Sequence, residues 1–184
     1  MGALHAHEFI TFDGVIDDPA WTAGHEFLPA MQAALDALTD RCTAIMFGRR
    51  TYEMFEPAWS GRAATDDPLA PFFNDTPKYV VSSTLTEPTW RNSTLLPYDS
   101  DKIRRLKEET RGDLFTSASG TLVRTLIADG LLDDLHLFVY PLTVGAGSRL
   151  FPETASPQSM ELAGSTTFEN GVLYLHYRLT PGVA

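Results

Sequence analysis

Residues 112–151, GDLFTSASGTLVRTLIADGLLDDLHLFVYPLTVGAGSRLF, decide the fold. Leu114 to Thr116 form a short extended run and Ser117 to Gly120 a cluster of small residues; Leu122, Val123, Leu126 and Ile127 then recur at the spacing of one helical face. The pattern predicts strand, tight turn and helix. Gly130 stands where a left-handed residue commonly ends a helix, and Leu135 to Tyr140 is a second extended run. The unit is therefore βαβ, with parallel strands and a right-handed crossover. Small residues between strand and helix let backbone amides at a helix N-terminus approach an anion, usually a phosphate. Ser119 and Gly120 stand at that point. A serine that caps a helix and a glycine that turns the chain fit the same letters, so the rest of the chain has to decide between the two readings.

A chain of 184 residues suits one domain, 1–184, with one sizeable core, and 43% hydrophobic with 21% charged residues is the composition of a folded globular protein. Fourteen basic against 24 acidic residues give a formal charge of −10, which argues against nucleic acid or an anionic membrane surface as partner. Any anionic ligand must meet a local basic patch. Cys42 is the single cysteine, so no disulfide forms within the chain, and the spacing of Cys and His suggests no metal site. No apolar stretch has the length needed to span a bilayer, and the opening MGALHAHEF lacks the basic segment and apolar core of a signal peptide. The expected compartment is the cytoplasm.

Working outward, Leu4 to Phe12 predicts a first strand, broken by Asp13-Gly14, and the polar segment from Val15 to His25 has the length and composition of a lid. Pro29 to Asp40 predicts a helix with Met31, Leu35 and Leu38 facing inward, and Cys42 to Phe47 a strand buried on both faces and ended by Gly48. Gly48-Arg49-Arg50-Thr51 then opens a helix whose inner face is Tyr52, Phe55 and Trp59. This is the basic patch that the overall charge requires, and arginine's fork suits a phosphate, although two adjacent arginines are also what a solvated helix face contains. Lys78 to Ser82 predicts a third strand followed by the hydroxyls of Ser82, Ser83 and Thr84. Trp90 to Tyr98 holds a short strand, and Ser100 to Arg111 a helix with Ile103 and Leu106 inside. The last two strands, Met160 to Glu169 and Val172 to Leu179, join at Asn170-Gly171, a hairpin signal, with His176 as a packing or surface residue. Ligands of open α/β sheets lie outside the carboxyl ends of the strands. Three such ends carry suitable groups here: Gly48 to Thr51, Ser82 to Thr84 and Ser117 to Gly120.

The order of these motifs, a strand closed by Asp-Gly, then G-R-R-T-Y, V-V-S-S, S-G-T-L-V-R-T-L, L-L-D-D-L-H-L and V-G-A-G-S-R-L-F, resembles the dihydrofolate reductase superfamily over nearly the whole chain. It is most similar to the bacterial branch related to the reductase domain of riboflavin biosynthesis. The resemblance implies a three-layer α/β fold with a mostly parallel central sheet, a C-terminal antiparallel hairpin, and NADPH lying across the strand ends. By position, Gly48, Arg49, Arg50 and Thr51 would meet the adenosine side of the cofactor. Val81, Ser82 and Ser83 would line the adenosine and its 2′-phosphate, and Ser119, Gly120, Thr121 and Leu122 would hold the pyrophosphate.

The resemblance further implies a small-molecule substrate, pterin-like, pyrimidine-like or an imine, held near Gly14, Met31 and Tyr140, with Asp13 as the acid or orienting residue. Asp13-Gly14 equally fits a plain turn at a strand end. The resemblance implies a homodimer as well. Two departures stand out: Met31, followed by Gln32, occupies the position on the first helix where dihydrofolate reductases place a carboxylate, and Ala118-Ser119-Gly120 stands where many relatives carry consecutive glycines. The first departure keeps two alternatives open, a binding module without catalysis and a folate reductase protonated through water.

Overall fold

The expected alternation of strands and helices assembles one eight-stranded sheet in a computed structural model that describes residues 1–153, 155 and 157–180. In chain order the elements are β1 (Leu4–Thr11), α1 (Pro29–Thr39), β2 (Cys42–Gly48), α2 (Arg49–Trp59), α3 (Ala70–Asp75), β3 (Lys78–Val81), β4 (Ser93–Leu96), α4 (Ser100–Glu109), β5 (Asp113–Ser117), α5 (Gly120–Ala128), β6 (Asp134–Tyr140), β7 (Met160–Thr167) and β8 (Leu173–Leu179). The sheet order is β4-β3-β2-β5-β1-β6-β8-β7. All neighbours from β4 to β6 run parallel, and β8 and β7 close the far edge antiparallel. This is the dihydrofolate-reductase-like architecture.

Alternation along the strands divides the core between two faces. Leu4, Ala6 and Ile10 of β1 pack with Leu114, Leu135 and Leu137 under Ile103 of α4 and Leu122, Val123, Leu126 and Ile127 of α5. On the opposite face Ile45, Phe47 and Phe115 pack under Leu35 and Leu38 of α1, Tyr52 of α2 and Phe73 of α3. A third cluster, Met31, Phe138, Tyr140, Phe168 and Val172, joins the start of α1 to the hairpin.

Local chemistry sets the ends. The Asp99 carboxylate caps α4 by accepting the amides of Asp101 and Lys102, each at 3.0 Å. Buried Lys78 ends α3, its Nζ donating to the carbonyls of Phe73, Asn74 and Thr76 beneath the Trp90 ring. The hairpin departs from a two-residue Asn-Gly turn. Gly171 donates to the Phe168 carbonyl and Phe168 to that of Val172, and only Gly171 has positive φ, +83°, which makes a three-residue loop with a bulge. Asn170 keeps ordinary backbone angles because its side chain is engaged: Nδ2 donates to the Glu26 carbonyl at 2.8 Å, and Oδ1 accepts from the Val172 amide.

Candidate active site

Strand register brings three of the expected ends to one edge. Gly48 pairs with Val81 across β2 and β3, and Ile45 with Phe115 across β2 and β5, so the turns leaving β3, β2 and β5 are neighbours. Hydroxyls lace two of them together. The Gly48 amide donates to Ser119 Oγ at 3.1 Å, Ser119 Oγ donates to Thr51 Oγ1 at 3.0 Å, and Thr51 Oγ1 donates to the Ala118 carbonyl at 2.9 Å. Ser119 therefore makes no side-chain cap on α5; its hydroxyl, like that of Thr51, frames the cleft.

That frame aims two helix N-termini, those of α2 and α5, at the same space. The first-turn amides of a helix lack intrahelical partners and carry positive partial charge. Arg49 and Arg50 are exposed on the first turn of α2, Arg49 pairing with Glu53 at 3.3 Å. Thr121 is exposed, whereas the Leu122 side chain belongs to the core and can offer only its backbone. Gly120 is required by close approach: a Cβ there would lie 2.2 Å from Ile16 Cδ1. Ala118 has φ of +51°, the left-handed conformation for which glycine is the usual residue. At the end of β3, Ser82 Oγ accepts the amides of Thr84 and Leu85, and Ser83 and Thr84 are the exposed hydroxyl residues of the turn. Paired helix termini, two arginines and exposed hydroxyls are a donor set that fits a dinucleotide with a phosphorylated ribose.

Beside this edge, between β1, β5 and the helices α1, α2 and α3, lies a cavity of about 230 Å³. Its walls are mainly aromatic, with Phe9, Phe27, Phe55, Trp59 and Phe115 among them, and its polar groups include His7, Ser117, Gln32 and Thr39. His7 and Ser117 are partners in the β1–β5 register, and His7 Nδ1 lies 3.0 Å from Ser117 Oγ. The other ring nitrogen, Nε2, is buried without a hydrogen-bond partner among the described residues. Burial drives the His7 pKa down to about 3, so the ring is neutral. A neutral imidazole offers either an N–H or a lone pair at Nε2, according to which way the Ser117 hydroxyl points. The sequence marks Ser117 only as the start of a small-residue turn and does not single out His7. The available signal was a polar His7 at an inward position of a buried strand, shared with His5 and Glu8.

The substrate-side expectations change. Met31 is fully buried in the cluster beneath the hairpin, where Asn170 Nδ2 reaches its sulfur at 3.4 Å. The next residue, Gln32, faces the cavity with Leu35 and Thr39, its Nε2 donating to Asp36 Oδ1 at 2.7 Å. Tyr140 is likewise buried, with the Trp21 and His25 rings standing edge-on against it at 5.3 and 5.4 Å, and burial raises its pKa to about 12. It shapes the wall beneath the Pro19–Gly24 turn and lies outside the cavity lining.

Asp13 is spent on structure. Its Oδ1 accepts from Thr11 Oγ1 at 2.6 Å and from the Val144 amide, and its Oδ2 accepts from the Gly145 amide at 2.8 Å. The Thr11 hydroxyl, followed by the Gly145 amide, holds its pKa near 2, so it has no proton to give near neutrality. Gly14, at φ +85°, forms the turn that carries this carboxylate to the 143–149 loop. The expected lid is anchored at its start: Val15 bridges Arg149, the Ile16 amide donates to the Ser148 carbonyl, and a Cβ on Gly147 would lie 2.5 Å from Asp17 Oδ1.

Comparison with known proteins agrees with the fold. The chain is 23% identical over 172 residues to the uncharacterized protein YyaP of Bacillus subtilis (strain 168), covering 91% of this chain and 90% of that one. A candidate riboflavin biosynthesis protein from Shewanella sp. PV-4 superposes with a TM-score of 0.79 at 19% identity, over 97% of this chain and 99% of that one. A pyrimidine reductase-like protein from Corynebacterium diphtheriae gives 0.66 at 12% identity, over 98% and 93%. The diaminohydroxyphosphoribosylaminopyrimidine deaminase/5-amino-6-(5-phosphoribosylamino)uracil reductase of Thermotoga maritima gives 0.68 at 13% identity, over 97% of this chain and 57% of that one. Below 25% identity these structures speak for the fold alone. The profile of the RibD C-terminal domain matches residues 3–174, and the chain belongs to that reductase-like family.

Proposed function

We propose that the chain is an NADPH-dependent reductase that delivers hydride to a small, flat nitrogen heterocycle, pterin-like or pyrimidine-like, or to a cyclic imine. The observation that carries this reading is the unpartnered Nε2 of His7 inside an aromatic-walled cavity that adjoins the Ser117 to Gly120 turn. Aromatic walls favour a flat ring, and a buried group that needs one hydrogen bond selects a ring that carries an acceptor or donor at its edge. The cofactor, when bound, supplies the hydride.

The protein's part is placement and exclusion of water. The amides opening α5 and α2 would hold the diphosphate. Arg49, Arg50 and Ser83 would meet the 2′-phosphate, while Thr51, Ser82 and Ser119 keep the strand ends in register. Gln32 and His7 would orient the substrate ring at its edge. No carboxylate of α1 lines the cavity among the described residues, and Asp13 is held ionised. Asp67, the carboxylate that does line the cavity, accepts the Leu69 amide at Oδ1 and faces Arg62 at Oδ2, so the proton that completes the reduction would come from water rather than from a carboxylic acid.

Calorimetric titration with NADPH and NADH tests the reading. Micromolar binding of NADPH, weakened in Arg50→Ala and lost in Ser119→Asp, supports it, and NADPH oxidation with pyrimidine or pterin substrates then identifies the ring. Equal affinity for both cofactors refutes the role of the arginines. No binding of either cofactor refutes the reductase reading and favours a binding module of the same fold. A cytoplasmic homodimer is part of the proposal, and sedimentation of the purified chain checks the assembly. Among the described residues no helix is long and apolar enough to cross a membrane.

A further inference from the structure

At the amino ends of the central strands, opposite the cofactor edge, three imidazoles and two carboxylates converge. His5 of β1 pairs in register with Asp134 of β6, and His136 of β6 with His176 of β8. His5, Asp134 and His136 are all buried. His5 Nδ1 lies 3.1 Å from His136 Nε2 and 3.7 Å from Asp134 Oδ2. We propose that His5 Nδ1, His136 Nε2 and the Asp134 carboxylate bind a divalent transition-metal ion, zinc being the best match, independently of the reductase site.

The spacing suits this chemistry. Two ligands at ~2.0–2.1 Å from a tetrahedral zinc ion stand about 3.3 Å apart, and the two observed separations bracket that value. Nitrogen and carboxylate donors select zinc, nickel or cobalt over calcium and magnesium. The remote nitrogens carry the support that metal-bound histidines require. His5 Nε2 is 3.1 Å from Asp113 Oδ2, and His136 Nδ1 is 2.7 Å from the Tyr174 hydroxyl. His176 stacks on His136 with ring centroids 4.2 Å apart, and its Nε2 lies 2.6 Å from Asp134 Oδ1, at the remaining corner of the site. With 19% of its side chain exposed, His176 is also the route of entry.

Protonation poses no obstacle. In the metal-free chain Tyr174 can donate to His136 Nδ1, His136 Nε2–H to His5 Nδ1, and His5 Nε2–H to Asp113. For the ion to bind, His136 exchanges one neutral tautomer for the other and its Nδ1–H turns to the tyrosine oxygen, with no proton lost. Asp134 and Asp113 turn two negative charges toward the ion, Asp113 sharing its own with the Arg41 guanidinium, whose Nη2 lies 3.3 Å from Oδ2 and 3.2 Å from His5 Nε2. An ion here would tie β1, β6 and the hairpin strand β8 together, at the edge where β7 and β8 bury little of their own surface. Sequence spacing hid the site, because His5 and His136 stand 131 residues apart.

The test uses the whole chain stripped with EDTA and titrated with Zn²⁺ or Co²⁺. One equivalent should bind, cobalt should develop the visible bands of a four-coordinate nitrogen and oxygen site, and the imidazole NMR signals of His5 and His136 should shift while those of His7 and His25 stay. His136→Gln and Asp134→Asn should abolish stoichiometric binding, His25→Gln should retain it, and Tyr174→Phe should weaken it by about 10-fold. Absence of saturable binding by the wild-type chain, or His5 and His136 signals unmoved at saturating Zn²⁺, overturns the proposal whether or not the variants fold.

Discussion

Glu8 is the sharpest place to test the core energetics. It sits in mid-β1 on the face covered by α5, 1% exposed, with Oε1 unpartnered among the described residues. Thr116, whose Oγ1 is also unpartnered, lies on the same face of β5 opposite Ala6. Burial raises the Glu8 pKa from 4.5 to about 8, against a smaller opposing pull from the Arg124 charge. Between those two pH values the native chain keeps a proton that the unfolded chain has released, so stability falls as pH rises through the window. At about 1.4 kcal/mol per unit, the loss is on the order of 3 kcal/mol by pH 7 and about 5 kcal/mol by pH 8. Glu8→Gln keeps the shape and never charges. Urea melts of both chains from pH 5 to pH 8 should therefore diverge, the variant gaining on wild type as pH rises. The other titrating groups cancel in the difference. A stability difference that stays constant across the window refutes the reasoning, because it would mean that native Glu8 ionises as it does in the unfolded chain.

Ala118→Gly removes a left-handed alanine and should stabilise the fold by about 1 kcal/mol, read as a raised melting temperature; a lower one contradicts the strain assigned to that turn. Lys78→Met strips three carbonyls of their donor and should cost on the order of 3 kcal/mol in urea melts. His7→Phe fills the cavity with an apolar ring and should raise substrate KM about 10-fold or more while NADPH affinity stays unchanged; equal effects on both would place His7 outside substrate recognition. Stability should also fall with acid below pH 6.5, because burial lowers the pKa of His5, His7 and His136, and the unfolded chain then binds protons that the native chain refuses. Thermal melts of wild type between pH 5 and pH 7 measure this against the opposite slope from Glu8.

Strand and helix positions were legible because they rest on local spacing. The strand end at Gly48, the helix it opens, the Ser119–Gly120 turn and the inner residues of α1 all follow from periodicity and small-residue punctuation within one unit. Periodicity tells which side of α1 is buried, but not which buried residue faces a void. Met31 answers the first question and Gln32 the second, one residue apart on the same helix. Asp13-Gly14 was legible as a turn, whereas the fate of its carboxylate depended on amides at Val144 and Gly145, more than 130 residues along the chain. Asn170-Gly171 announced the hairpin, and a tertiary contact to Glu26 changed its turn.

The polar residues of β1 show why the remaining chemistry needed three dimensions. His5, His7 and Glu8 look alike in a sequence, as polar interruptions of a buried strand. Alternation sends the two histidines to one face and the glutamate to the other, and position along the strand then separates them again. His5, at the amino end, meets the first residues of β5 and β6, where Asp113 and Asp134 stand. His7, two residues on, reaches Ser117 beside the turn that opens α5. Glu8 lies on the face covered by α5 and remains protonated to about pH 8. Because parallel strands bring like ends together, a shift of two residues along β1 moves a side chain from a cluster of metal-binding type to the wall of the aromatic cavity. His5→Gln should therefore abolish zinc binding and leave NADPH affinity intact, and His7→Phe should leave both intact. Calorimetry on the two variants checks this, and loss of zinc binding in His7→Phe would show that the two ends are not independent.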